Sequence, residues 1–258
     1  MTYGLARPPG YGHVDGPESQ PIAGMPLSRS IRIASYNIHK AVGTDRKRDP
    51  ARIVRVISEI DADVIALQEA DMRFGDRTGL LNLPALEELT GLVPLPIERH
   101  RSSHGFHGNL ILARNTEAEI VHHLHLPGLE PRGALIADIA VAGHSLRVVA
   151  THLGLLAQSR LIQARAILER IHGLDHRPTV LMGDLNEWRT GTRSSLRPFE
   201  SHFPASHGGR SFPARYPMLP LDRILASERT KLVDFSVHDT PLSRVASDHL
   251  PITARLHI

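Results

Sequence analysis

Apolar positions along the chain follow two periods, and the switch from one to the other predicts the elements. From Ile31 the run "IRIASYNI" reads as a strand. "RDPARIVRVISEI" then reads as a helix, with Asp49 as its N-cap, Pro50 at the first helical position, and Ile53, Val56, Ile57 and Ile60 on one face. "DVIALQE" is a continuous apolar run closed by polar groups, hence a buried strand, and "LPALEELTG" a weaker helix with a proline near its start. "NLILAR", "EIVHHLHL", "GALIADIAVA" and "SLRVVATHL" are further strands, the last two joined as a hairpin across Gly143-His144. "SRLIQARAILERI" places Leu161, Ala164, Leu168 and Ile171 on a helical stripe, and "PTVLMGDLN" repeats the buried-strand pattern. "LDRILA", "KLVDFSVH" and the closing run from Ile252 to Ile258 complete the strands. Helices and strands alternate in each half with strand pairs between them, which predicts an α/β fold of two packed, largely antiparallel sheets flanked by helices, one domain over residues 31–258. Residues 1–30 show neither period, are rich in Pro and Gly, and read as a disordered N-terminal tail.

Composition narrows the chemistry. The 258 residues are 41% hydrophobic, enough for a sizeable core, and contain no cysteine, which excludes disulfides, thiolate nucleophiles and zinc–thiolate sites. A metal here must be held by oxygen or imidazole. The formal net charge is +3 and the sequence pI about 9.6, a balance that favours phosphate-bearing partners without naming one. No transmembrane run and no apolar signal segment stands out, so a cytoplasmic monomer is expected.

The chemistry concentrates where strands stop. Apolar runs end at Asn37, Glu69, His152 and Asp184, with Asn186 just beyond the last of these. Open α/β sheets build sites at such ends, because side chains there leave the core while the backbone stays rigid. Asp222 lies in "LDRIL", and Asp248 and His249 stand side by side just before the terminal strand, where the fold itself has no need of an acid and an imidazole. Together these are hard metal ligands, acid–base groups and phosphate donors.

The motifs "SYNI", "LQE", "GNLIL", "THL", "GDLN", "LDRI" and "SDHLPI", in this order, resemble the endonuclease/exonuclease/phosphatase superfamily, whose fold is that of deoxyribonuclease I. The resemblance spans roughly residues 31–258 and implies a four-layer α/β/β/α sandwich, a divalent metal (Mg²⁺ or Mn²⁺) and hydrolysis of a phosphoester. It implies that Glu69 is the principal metal ligand, with Asn37 and Asp248 completing the shell. Asp184 would orient or deprotonate the attacking water, and Asn186 would donate to the phosphate. His249 would bind a phosphate oxygen or serve as base, its tautomer fixed by Asp222. His152 would contact the phosphate or protonate the leaving group, with Glu130 as its carboxylate partner, and Asn109 would position groups nearby.

The loops between motifs are the expected seat of specificity, and Arg73, Arg77 and Arg215 are their candidate phosphate contacts. "HHLH" at His122, His123 and His125 reads as a solvated strand face, since alternation separates His122 from the other two. The resemblance implies a phosphodiesterase or nuclease first, with phospholipid or sphingomyelin phosphodiesterases and inositol-phosphate phosphatases as alternatives. A non-catalytic phosphate-binding module is the alternative from another class. Aromatics are only 4% of the chain and no basic stripe appears, so nothing in the composition marks single-strand tracking.

Overall fold

A computed structural model describes Met1 and residues 30–72, 77–97 and 102–258. The expected tail, apart from its two end residues, and Arg73 lie outside the described residues. In chain order the strands are β1 (Ile31–Asn37), β2 (Val64–Gln68), β3 (Val93–Pro94), β4 (Leu110–Ala113), β5 (Glu117–Leu126) and β6 (Arg132–Val141). They continue as β7 (His144–His152), β8 (Thr179–Asp184), β9 (Ala205–Gly208), β10 (Asp222–Ala226), β11 (Lys231–Val237) and β12 (Ile252–His257). The α-helices are α1 (Pro50–Ile60), α2 (Leu83–Thr90), α3 (Ala157–His172) and the short α4 (Ser243–Ala246).

Two six-stranded sheets form, in the orders β11-β12-β1-β2-β4-β3 and β5-β6-β7-β8-β10-β9. Among the described residues, β1–β2 and β7–β8 are the pairs that run parallel, and these are the two pairs joined through a helix, α1 and α3 respectively. Three apolar layers hold the stack. Ile33, Val64, Ala66, Val148, Val180 and Met182 fill the space between the sheets. Ile53, Ile57 and Ile60 of α1, with Leu86 of α2, cover Tyr36, Ile65 and Leu67 on the outer face of the first sheet. Ala164, Ile167 and Ile171 of α3 cover Val149, Leu181 and Leu225 on the second. This is the four-layer α/β/β/α sandwich that the motifs implied.

Local signals set most boundaries. The Asp49 carboxylate accepts from Arg52 N at 3.0 Å with Pro50 behind it, and Asn82 accepts from Ala85 N at 3.2 Å to start α2. Three readings shift. The β6–β7 loop is Ala142-Gly143, with Val141 opposite His144, because both loop residues take left-handed φ (52° and 83°) as a tight hairpin turn requires. β9 carried no apolar pattern and was not expected. On α3 the buried stripe takes in Arg160 and Gln163, whereas Leu161 is only half-buried. The polar pair turns inward because Arg160 meets Glu187 and Gln163 accepts from Gly154 N at 2.8 Å, partners that periodicity cannot reveal. Among the described residues, no helix is long and apolar enough to cross a membrane.

Candidate active site

A strand's side chains alternate between faces, and in this sandwich one face of each strand looks at the other sheet. Following that inner row to the strand ends reaches the polar residues. In β1 the row runs Ile31, Ile33, Ser35, Asn37; in β7, Leu146, Val148, Ala150, His152; in β8, Val180, Met182, Asp184. β10 runs the other way, from Ala226 through Ile224 to Asp222. Register does the rest, since His152 and Asp222 are the two ladder neighbours of Asp184. A Cβ at Gly183 would lie 1.8 Å from the Thr151 carbonyl oxygen, so β8 can run this close to β7 only with glycine just before the aspartate.

Asp184 is the centre. Its Oδ2 accepts from Asn37 Nδ2 at 3.0 Å, across the gap between sheets, and lies 3.3 Å from His152 Nε2 and 3.7 Å from His249 Nε2. Its Oδ1 accepts from Asn186 N at 3.0 Å, and the Asn186 side chain donates to Leu153 O at 2.9 Å. His249 Nδ1 is 2.8 Å from Asp222 Oδ2, which also accepts from Ser211 Oγ at 2.5 Å. Ser247 Oγ donates to Asn37 O at 2.7 Å, tying the "SDH" turn to the end of β1.

Burial raises the Asp184 carboxyl above the usual carboxylate range, against the pull of the His249 charge. Burial works the other way on His249, yet Asp222 and then Asp184 outweigh it and push the imidazole up to about 10. His249 is thus held as a cation facing Asp184. In the metal-free protein, Asp222→Asn is expected to bring the His249 titration, followed by imidazole NMR, down from about 10 toward the ordinary range near 6.5. An unmoved titration would remove Asp222 as its cause.

Glu69 arrives differently. Gln68, not Glu69, occupies the inner row of β2, where it accepts from Ser35 Oγ at 3.3 Å. Glu69 itself has φ 55°, and this left-handed turn out of the strand brings its carboxylate to the same cavity. Burial works to raise its pKa, but the ammonium of Lys40, hydrogen-bonded to Glu69 Oε2, leaves it below the usual glutamate value.

The cavity encloses about 390 Å³. Its lining includes the polar residues Asn37, Glu69, His152, Asp184, Asn186 and His249 and the apolar residues Leu155, Trp188, Phe212, Leu219 and Leu221. A smaller lobe of about 80 Å³ shares Glu69, Arg132 and His152 with it and continues past Lys40, Arg77 and His107. Lys40, Arg132, Ser211 and Trp188 carried no sequence signal beyond their nearness to a motif.

Several expected residues stand elsewhere. Asp248 is absent from both linings and faces His39, with 3.5 Å between its Oδ1 and His39 Nδ1. Glu130 does not meet His152; it pairs with Arg132 at 2.9 Å and accepts from Leu155 N at 2.8 Å, because its loop turns away from the end of β7. Asn109 is buried and donates to Phe106 O and Gly133 O, a pin between the sheets and not a cavity wall. Arg215 is exposed, its guanidinium over the Tyr216 ring, and lines neither space. His123 and His125 do share a face, but they pack with Phe106 and His107 in place of a merely solvated surface.

The donor set fits a hard divalent cation at Glu69. Its carboxylate is ionised, it opens on the cavity near the Asn37 carboxamide, and an ammonium group already uses it as a cation position. Asp184, Asp222 and His249 also bring one ligand atom each within 4.8 Å of one another, and the buried Asp222 Oδ1 has no hydrogen-bond partner. There the imidazolium already supplies positive charge, so Glu69 is the better cation site.

Residues 34–249 match the Endonuclease/Exonuclease/phosphatase family. The chain is 32% identical over 251 residues to the uncharacterised protein YbhP of Escherichia coli (strain K12), an alignment covering 89% of this chain and 97% of that one. In fold it resembles an endonuclease/exonuclease/phosphatase from Beutenbergia cavernae (TM-score 0.67, 23% identity, 89% of this chain and 72% of the other). It also resembles the mannosyl-6-phosphatase Bt3783 of Bacteroides thetaiotaomicron (TM-score 0.66, 17% identity, 89% and 100%). A match that begins within β1 and ends at His249 embraces every strand end that builds this cavity, and the chain belongs to the endonuclease/exonuclease/phosphatase family.

Proposed function

We propose that residues 31–258 form a metal-dependent phosphoesterase that hydrolyses a P–O bond by in-line attack of water. The observation that carries this reading is the convergence of Asn37, His152 and His249, from three distant segments, on one oxygen of Asp184. Asp184 is the base for the attacking water, since burial makes it a stronger proton acceptor than an exposed carboxylate. His249, kept positive by Asp222, cannot take that proton and instead stabilises the charge growing on the phosphoryl oxygens. His152 stands beside it to donate to the phosphate or the leaving group, and Asn186 supports the phosphate from the far side of Asp184. A divalent cation, Mg²⁺ or Mn²⁺, bound at Glu69 and Asn37 would supply Lewis-acid stabilisation of the same oxygens. Asp248 would act on that cation through an intervening water or through His39.

Purified protein is expected to hydrolyse bis-p-nitrophenyl phosphate with Mg²⁺ or Mn²⁺ and to stop on addition of EDTA, with recovery when the metal is restored. Absence of any metal-dependent turnover would favour a non-catalytic phosphate-binding module instead. Substrate class follows from a panel of plasmid DNA, single-stranded DNA, RNA, sphingomyelin, cardiolipin, inositol polyphosphates and, given the Bacteroides phosphatase of the same fold, a sugar phosphate. Plasmid nicking at catalytic enzyme ratios supports the nuclease assignment, and turnover confined to a lipid or sugar phosphate removes it.

A further inference from the structure

Lys40 reaches the site on an unfavourable backbone. His39, Lys40 and Ala41 have φ of 45°, 54° and 57°, three successive left-handed residues of which none is glycine. The turn is over-determined by its surroundings: Asn37 Oδ1 accepts from His39 N at 3.0 Å, Ile38 O from Ala41 N at 2.7 Å, and Ala41 O from Asp49 N at 2.8 Å. Its outcome is an ammonium group held on Glu69 Oε2 at the junction of the cavity and its lobe.

Two other charged groups of the lobe already have partners. Arg132 is paired with Glu130, and the Asp71 carboxylate accepts from Ser103 Oγ at 2.6 Å and from His104 N at 2.9 Å. Lys40 and a divalent ion on the Glu69 carboxylate oppose each other, since both carry positive charge and draw on the same single negative charge. Among the described residues, the acid then left in the lobe is Asp71, which already accepts two hydrogen bonds, so an ammonium displaced from Glu69 would stand among Arg77, His107 and Arg132. An oxyanion in that space is the group that restores its hydrogen bonds.

We propose that Lys40 is a tethered cation that competes with the divalent ion for Glu69 and, once displaced, holds a phosphate-type oxyanion in the adjoining lobe. The inference rests on the metal-dependent phosphoesterase reading and adds to it a second anion position beside the reacting phosphate. Metal and oxyanion binding are then coupled, each strengthening the other by the same factor.

The test is Mn²⁺ affinity of the full chain, measured by electron paramagnetic resonance without any substrate, with and without inorganic phosphate. Lys40→Met keeps the side chain's length and the same backbone demand. It is expected to bind Mn²⁺ about tenfold more tightly than wild type when phosphate is absent, within the usual range of such couplings. Phosphate is expected to tighten Mn²⁺ binding several-fold more in the wild type than in Lys40→Met, where only coupling through the reacting-phosphate position remains, while Glu69→Gln loses the tight site in both conditions. Equal or weaker Mn²⁺ binding by Lys40→Met overturns the competition and leaves the phosphoesterase reading standing. Phosphate coupling that is undiminished in Lys40→Met overturns the oxyanion position. A wild type that binds no Mn²⁺ brings down this inference together with the metal-dependent reading, whereas metal-dependent hydrolysis with no effect of Lys40→Met brings it down alone.

Discussion

Asp184→Asn is expected to lower kcat on bis-p-nitrophenyl phosphate by about 10³-fold, the scale of a lost general base, with the fold retained. The side chain keeps its shape, but its single carbonyl oxygen can accept from Asn37 or from the Asn186 backbone and not from both, and no group remains to take the water's proton. Folding should not suffer, because the change removes a buried carboxylate that burial already disfavours. Steady-state kinetics alongside thermal unfolding decide the matter. A variant that keeps a tenth of wild-type kcat refutes Asp184 as the base, and one that melts much earlier points to a structural role. His249→Ala makes a useful companion: it should also lower kcat by orders of magnitude, yet by loss of positive charge at the phosphate rather than loss of a base.

Glu187→Ala should be the most damaging change to stability, by about 3–5 kcal/mol, because it leaves a buried guanidinium without its counter-charge. Glu187 and Arg160 are both fully buried, with Arg160 Nη2 to Glu187 Oε2 at 3.1 Å. The same carboxylate oxygen accepts from Ser195 N and Oγ at 2.9 and 2.6 Å, and Oε1 accepts from Arg189 N at 2.9 Å. Arg160 in turn donates to Ser195 Oγ at 2.8 Å and Leu155 O at 2.6 Å. The network therefore fixes the loop that carries Trp188 and the residue Leu155, two of the cavity's apolar lining residues. A melting temperature lower by roughly 10 °C is expected for a domain of this size, with KM rising more than kcat falls.

The pH dependence of that loss has a definite sign. Burial opposes the ionised Glu187 carboxylate, but Ser195, Arg189 N and Arg160 hold its pKa at about 2, below the ordinary 4.5. The folded state therefore binds fewer protons here than the unfolded one. The stabilisation is complete above about 4.5 and disappears as pH falls toward 2. The gap between wild type and Glu187→Ala should be full at neutral pH and narrow below pH 4.5. A constant gap across that range would mean that packing, not charge, is what the alanine removes.

Much of the architecture was legible before any coordinates. Period and capping residues located α1, α2 and the buried strands, because an apolar face on a regular element leaves a mark at fixed spacing. The strand-end residues Asn37, His152 and Asp184 were equally legible, since a polar group closing an apolar run breaks the same spacing. The direction of Asp248 was not legible for a related reason: sequence shows that it precedes a strand but not which way the turn at Ser247 and His249 aims its carboxylate. Glu130 and Asn109 are likewise placed by contacts that no local pattern shows, one turned by its loop toward Arg132, the other donating to the Phe106 carbonyl of its own loop and the Gly133 carbonyl of β6.

By itself the sequence determined the list of groups and the rows on which they stand, because alternation along a strand is a local property of the backbone. Only the tertiary structure decided which groups meet. Asn37 reaches Asp184 across 147 positions of chain, and His249 reaches Asp222 across 27, through register and sheet stacking that no local pattern encodes. The left-handed turns at Lys40 and Glu69 belong to that second class too: they are unfavourable for the residues that adopt them, and only the surrounding packing and hydrogen bonds hold them.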